Sequence, residues 1–73
     1  MPFKDRVAGL RASMAAAGAE AAVITSLPNV SYFCGFTGSN GALLVSREAV
    51  TLFTDPRYTI QAGLEAAAKV VVA

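Results

Sequence analysis

The stretch YFCGFTGSNGALLV, residues 32–45, sets glycines three apart at Gly35, Gly38 and Gly41 and runs directly into an apolar segment. Such a stretch can cradle a phosphate, form the elbow of a catalytic nucleophile, or deliver the chain from a helix into a strand. The pattern G-x-x-G-x-x-G lacks the lysine that follows the last glycine of a Walker loop, and it is not the G-x-G-x-x-G that leads from a strand into a helix. GSNG does not match the G-x-S-x-G elbow, and the chain contains no histidine to act as a base for Ser39. Upstream, Val30, Tyr32 and Phe33 are spaced for one or two helical turns that Gly35 would end. Downstream, Ala42 to Ser46 reads as a strand. The glycines therefore connect a helix to a strand, with Gly35 as the stop, Gly38 at a positive φ and Asn40-Gly41 in a tight turn.

Working outward from this loop places the other elements. Phe3, Val7, Leu10, Met14 and Ala17 recur at spacings of one helical turn and predict an amphipathic helix over residues 3–17, stopped by Gly18. Ala21 to Thr25 is a short apolar run with β-branched residues, bounded by Gly18 and Pro28, and predicts a buried strand. Beyond the glycines, Ala42–Ser46 and Val50–Thr54 are separated by Arg47-Glu48-Ala49, a spacing that suits an antiparallel hairpin. Asp55-Pro56 starts a second helix, because aspartate accepts a backbone N–H as N-cap and proline at the next position forfeits no hydrogen bond. The expected apolar side of that helix is Ile60, Leu64 and Ala67 or Ala68, with Lys69 in its last turn, where a cation suits the helix dipole. Val70 to Ala73 then begins a further strand and stops, as in a fragment. The order describes an α/β fold, a mixed β-sheet flanked by helices, with the domain incomplete.

Composition limits the functions available. Seventy-three residues suffice for one small domain, of which 55% are hydrophobic and 15% charged. A net charge of +1 gives no electrostatic footprint for nucleic acid or an anionic membrane. The weakly charged stretch near Ala15 to Leu27 is interrupted by Glu20 and ends at Pro28, too short for a membrane span, and the N-terminus lacks the apolar block of a secretory signal. The lone Cys34 has no internal disulfide partner and reads as a small buried thiol beside Phe33 and Phe36, in keeping with a reducing, cytoplasmic compartment. With no histidine and five dispersed carboxylates, the chain has no metal site of its own. Arg57 stands in the first turn of the second helix, where a cation is slightly unfavourable, so either an ion pair with Asp55 or Glu48 or a target outside the domain accounts for it.

Two segments, PNVSYFCGFTGSNGALLV and LFTDPRYTIQA, carry a resemblance. They are similar to the start of the N-terminal domain of Xaa-Pro aminopeptidases and prolidases, the group that includes creatinase. The resemblance implies that residues 1–73 form part of a non-catalytic domain, and that the catalytic pita-bread domain lies elsewhere in a parent chain. There two Asp, one His and two Glu hold two divalent metal ions, commonly manganese, that activate water against the bond before a proline in a peptide substrate. No position here matches those ligands, so the chain alone is expected to be inactive. The resemblance further implies a homo-oligomer and a role in limiting entry to the active site. Phe36, Gly38 and Ser39 are its candidates for an interface or pocket rim, and Arg57 and Tyr58 for holding that loop. Cys34 stands where the family often has threonine, and Pro56 where it often has glycine.

The alternative is a stand-alone α/β binding module that kept the fold without the peptidase. An anion-binding protein is a third reading, which a lack of thermal shift with phosphate or nucleotide would remove. A sheet that lacks later strands leaves an apolar edge at Val70 to Val72. The chain is therefore expected to self-associate in sedimentation at high concentration, and a clean monomer would contradict this.

Overall fold

The computed structural model describes residues 2–73, with side chains from Phe3 onward. Helix α1 spans Pro2–Ala17 and leads into strand β1, Ala21–Ile24. Helix α2, Leu27–Cys34, precedes the glycine loop and strands β2, Ala42–Ser46, and β3, Val50–Thr54. A single 3-10 turn at Pro56–Tyr58 opens helix α3, Thr59–Glu65, and strand β4, Lys69–Val72, follows. The strands form one mixed sheet in the order β1-β2-β3-β4, antiparallel except for β3 with β4. A parallel pair needs a crossover between its strands, which the 3-10 turn and α3 supply.

The helix ends follow from local chemistry. After α1, Gly18 adopts φ 72° while its N–H donates to Ala15 O at 3.2 Å and that of Ala19 to Met14 O at 2.8 Å. This pair of bonds is the Schellman arrangement that satisfies the last carbonyls of a helix. After α2, Gly35 adopts φ 85° and donates to Ser31 O at 2.8 Å, the simpler left-handed termination. Asp55 caps the 3-10 turn by accepting the Arg57 N–H, with Pro56 in first position.

All three helices contribute to one core on one face of the sheet. Val7 and Met14 of α1, Val30 and Cys34 of α2 and Ala62 of α3 pack with Phe36, Leu43, Val45 and Leu52. The register places Ala22 beside Val45, Ile24 beside Leu43, Leu43 beside Leu52 and Leu52 beside Val70, so these residues share the covered face. Arg11 joins helix to sheet by donating from Nε to Ser46 O at 2.8 Å. Arg6 joins the two helices, donating to Tyr32 O at 2.9 Å with its guanidinium 4.4 Å from the Tyr32 ring centre.

Four expectations from the sequence are corrected. Ile60 and Leu64 are 79% and 83% exposed, and the buried residue of α3 is Ala62. The 3-10 turn winds more tightly than an α-helix, so it resets the phase and aims Tyr58 and Ala62 at the core instead. Lys69 is not in the last turn of that helix, which ends at Glu65, but opens β4. Strand β1 is an edge strand with alternating exposure rather than a fully buried one. Finally, Gly38 has no positive φ; among the described residues only Gly18 and Gly35 do.

What Gly38 provides is room. A Cβ there would lie 2.2 Å from Cζ of Phe36, and one at Gly41 would lie 3.1 Å from Cε2 of the same ring. The two glycines flank a phenyl group that is 1% exposed. Gly38→Ala is thus expected to cost about 1–3 kcal/mol, as overpacking of a filled core does, read as a lower urea midpoint at unchanged slope. Gly9→Ala in α1, where a methyl meets nothing within 4 Å, should instead be stabilising by up to about 1 kcal/mol. Equal stability of the Gly38 variant and the parent chain would show that the Phe36 ring is not held in place.

Candidate functional site

The glycine loop, residues 35–41, lies against the segment that begins at Asp55, and three loop residues are fastened to it by polar contacts. The Thr37 N–H and hydroxyl both donate to the Glu65 carboxylate, at 2.9 Å from N and 3.0 Å from Oγ1. Ser39 Oγ and the Tyr58 hydroxyl share a hydrogen bond. Asn40 Nδ2 donates to Asp55 Oδ2 at 2.7 Å. The partners run in opposite directions, so the loop ascends through residues 37, 39 and 40 as its clasp descends through 65, 58 and 55. Underneath, Phe36 meets Tyr58 edge to face at 5.7 Å between ring centres. Thr54, buried on β3, donates from Oγ1 to Asn40 O at 2.6 Å and anchors the loop to the sheet.

The charges of the clasp neutralise one another locally. Arg57 grips Asp55 with two parallel bonds, Nε to Oδ1 at 3.0 Å and Nη2 to Oδ2 at 2.8 Å, and its backbone N–H adds a third. An intramolecular ion pair with Asp55 thus accounts for this cation at a helix start. Arg57 and Asn40 together hold the Asp55 carboxyl well below the usual carboxylate range. The Asp55 pair in turn raises the Arg57 pKa. The hydrogen bond with Ser39 lowers that of Tyr58, and the backbone N–H of Thr37 lowers that of Glu65. Gln61 steadies the far end, donating to both Thr37 Oγ1 and Glu65 Oε1 at 3.2 Å. Since Glu65 occupies the Thr37 N–H, the loop's own carboxylate partner takes a donor that an external anion would need.

The candidate residues divide by depth. Phe36 and Gly38 are buried within the domain, whereas Ser39 and Arg57 reach solvent and Tyr58 is half-buried between the two levels. Cys34 is fully buried one turn upstream, and burial pushes its thiol pKa up, away from nucleophilic use. The chain's residues do not fit a pair of divalent ions. It has no histidine, and among the described residues no three His, Cys, Asp or Glu side chains gather closely enough to hold a metal. Also among the described residues, no helix is long and apolar enough to cross a membrane. Sequence reasoning missed Thr37, Asn40, Gln61 and Glu65. Gln61 and Glu65 stand one turn apart, a visible hint of a shared polar face, but nothing in the sequence points from them to Thr37.

With this geometry in place, comparison with known proteins assigns the domain. Residues 6–73 match the model of the Creatinase/Prolidase N-terminal domain, and the chain belongs to that family. The chain superposes on the crystal structure of the N-terminal domain of the cytoplasmic peptidase PepQ from Mycobacterium tuberculosis H37Rv with a TM-score of 0.91 and 43% identity, covering 94% of this chain and 55% of that one. It superposes on the Xaa-Pro dipeptidase from Bacillus anthracis with a TM-score of 0.91 and 28% identity, over 97% of this chain and 20% of that enzyme. It is also 44% identical over 48 residues to the uncharacterized peptidase YqhT of Bacillus subtilis, a segment that is 66% of this chain and 14% of that protein. The chain thus spans about half of a solved N-terminal domain and a small part of the full-length relatives. The mixed sheet with its helices is the fold of this family.

Because folding holds the Asp55 and Glu65 carboxyls below their unfolded values, ionisation of both favours the folded chain. That contribution is complete above about pH 5 and falls away as the pH drops through the unfolded and then the folded values. Asp55→Asn should flatten the dependence of the urea midpoint on pH over this acidic range while leaving near-neutral pH dependence unchanged. An acid limb as steep as that of the parent chain would exclude Asp55 as its source.

Proposed function

We propose that the chain is the non-catalytic N-terminal part of a metal-dependent peptidase acting at Xaa-Pro bonds, an Xaa-Pro aminopeptidase or prolidase, and serves oligomer assembly and substrate gating. The observation that supports this reading best is the match of residues 6–73 to one N-terminal domain family, joined to the loop and clasp, which are the segments that carry the sequence resemblance. In this reading the divalent ions, manganese or a similar metal, and the proline-containing substrate belong to a catalytic domain of the parent chain. The cytoplasmic description of PepQ favours the same compartment here.

A rigid loop suits gating better than a mobile one, because a rim can exclude long substrates only if it holds its shape. Thr37, Ser39 and Asn40 are each tied to a different residue of the clasp. Ser39 and Arg57 form the part of this unit that another domain or subunit can touch, and Phe36 and Gly38 set its shape from beneath.

The purified chain is expected to release no product from Xaa-Pro peptides with or without manganese, and metal-dependent turnover would overturn the non-catalytic assignment. Gating is tested in the full peptidase that carries this domain. Ser39→Trp should lower kcat/KM for longer peptides by roughly tenfold, about 1.4 kcal/mol, with a much smaller effect on dipeptides. Equal losses for both substrate lengths would sink the gating role and leave the family assignment intact.

A further inference from the structure

A cavity that no residue of the loop or clasp lines opens between α1, the beginning of β3 and the link from α3 to β4. It encloses about 250 Å³ and is lined by Phe3, Lys4, Val7, Arg11, Val50 and Ala67. Its wall is hydrocarbon: a phenyl ring, two valines and a methyl group, completed by the apolar stems of the two cations. An apolar cavity of roughly 150 Å³ already accommodates a benzene ring, so this one has room for a small molecule. Two cations and no carboxylate line it. Lys4, Val7 and Arg11 follow one another at spacings of three and four along α1, so the helix presents both charges on the stripe that carries buried Val7.

Neither cation is taken up by an ion pair. Among the described residues the one ion pair is that of Arg57 with Asp55. Arg11 is half-buried and commits only its Nε, which donates to Ser46 O at 2.8 Å, so both of its Nη groups keep their donors. An apolar wall beside a guanidinium without an acidic partner suits a ligand with the complementary pair of properties, an apolar body and one anionic head. A planar carboxylate matches the two Nη groups with two parallel bonds, and exposed Lys4 adds a second positive charge at the rim. We infer that this cavity is a binding site for a small amphiphilic carboxylate, of which a short fatty acid is the simplest member. Phe3 gives the site a firm wall, because its ring packs on Gly35, where a Cβ would lie 2.9 Å from Cζ of that ring. The inference stands apart from gating and from catalysis.

Calorimetric titration of the purified chain with octanoate is expected to give a saturable 1:1 isotherm, with the amide resonances of Val7, Val50 and Ala67 shifting together. Octanol, which has the same chain and no charge, should bind roughly fivefold or more weakly, and acetate, the head without the body, should not bind. Lys4→Gln, at an exposed position, should weaken octanoate binding about twofold to fivefold. Arg47→Gln, on the turn between β2 and β3, removes an equal charge elsewhere and should leave binding unchanged. Ala67→Leu should fill the cavity from its open side and weaken octanoate binding by roughly tenfold or more. Each variant is checked for native circular dichroism. Absence of saturable octanoate binding overturns the inference. So does equal binding of octanol, equal loss with Lys4→Gln and Arg47→Gln, or full retention of binding by a folded Ala67→Leu chain.

Discussion

The Phe36 side chain is the constraint on which the rest of the domain depends. Its ring sits where the glycine loop, the sheet and the start of α3 meet, flanked by Gly38 and Gly41 and in edge-to-face contact with Tyr58. Removing so large a buried ring typically costs about 3–5 kcal/mol, a large share of the roughly 4–11 kcal/mol that a chain of this size commands. Gly38 and Gly41 are glycines because the ring leaves no space there for side chains, and the clasp lies where it does because Tyr58 packs against the ring. Polar contacts at the surface then fix the orientation that the apolar contact selects.

Much of the architecture was legible because its signals are local. Gly18 and Gly35 terminate helices through backbone conformations that glycine adopts most readily, and Asp55-Pro56 caps a turn using only its immediate neighbours. The orientation of α3 was not legible. A periodic apolar pattern fits more than one phase, and the choice between Ile60 with Leu64 and Tyr58 with Ala62 was made by three residues of 3-10 geometry upstream. Gly38 was misread for a related reason: positive φ and close approach of a neighbour both demand the absence of a Cβ, and a sequence does not distinguish them.

The site was legible as two motifs and illegible as one object. Ser39 and Tyr58 are nineteen residues apart and Asn40 and Asp55 fifteen, too far for any helical or strand period to link them. The resemblance joined the segments by co-occurrence, and the structure supplies the cause, since each motif holds the hydrogen-bond partners of the other. Arg57 shows how a bland account can suffice. Its two-point grip on Asp55 makes a cation at a helix start part of the cap, while most of its side chain stays available to solvent.

The mixed topology of the sheet bears on the order in which the molecule comes apart. Strands β1, β2 and β3 pair antiparallel, and β2 and β3 are joined by a short turn that closes quickly. Strand β4 joins only after α3 has carried the chain back along β3, and it has a single neighbour. As an edge strand it has ladder partners on one side only, so its detachment would break fewer bonds than loss of β2 or β3 and would leave the Phe36 core shut. The parallel edge of this sheet is then a seam that can open without unfolding of the core.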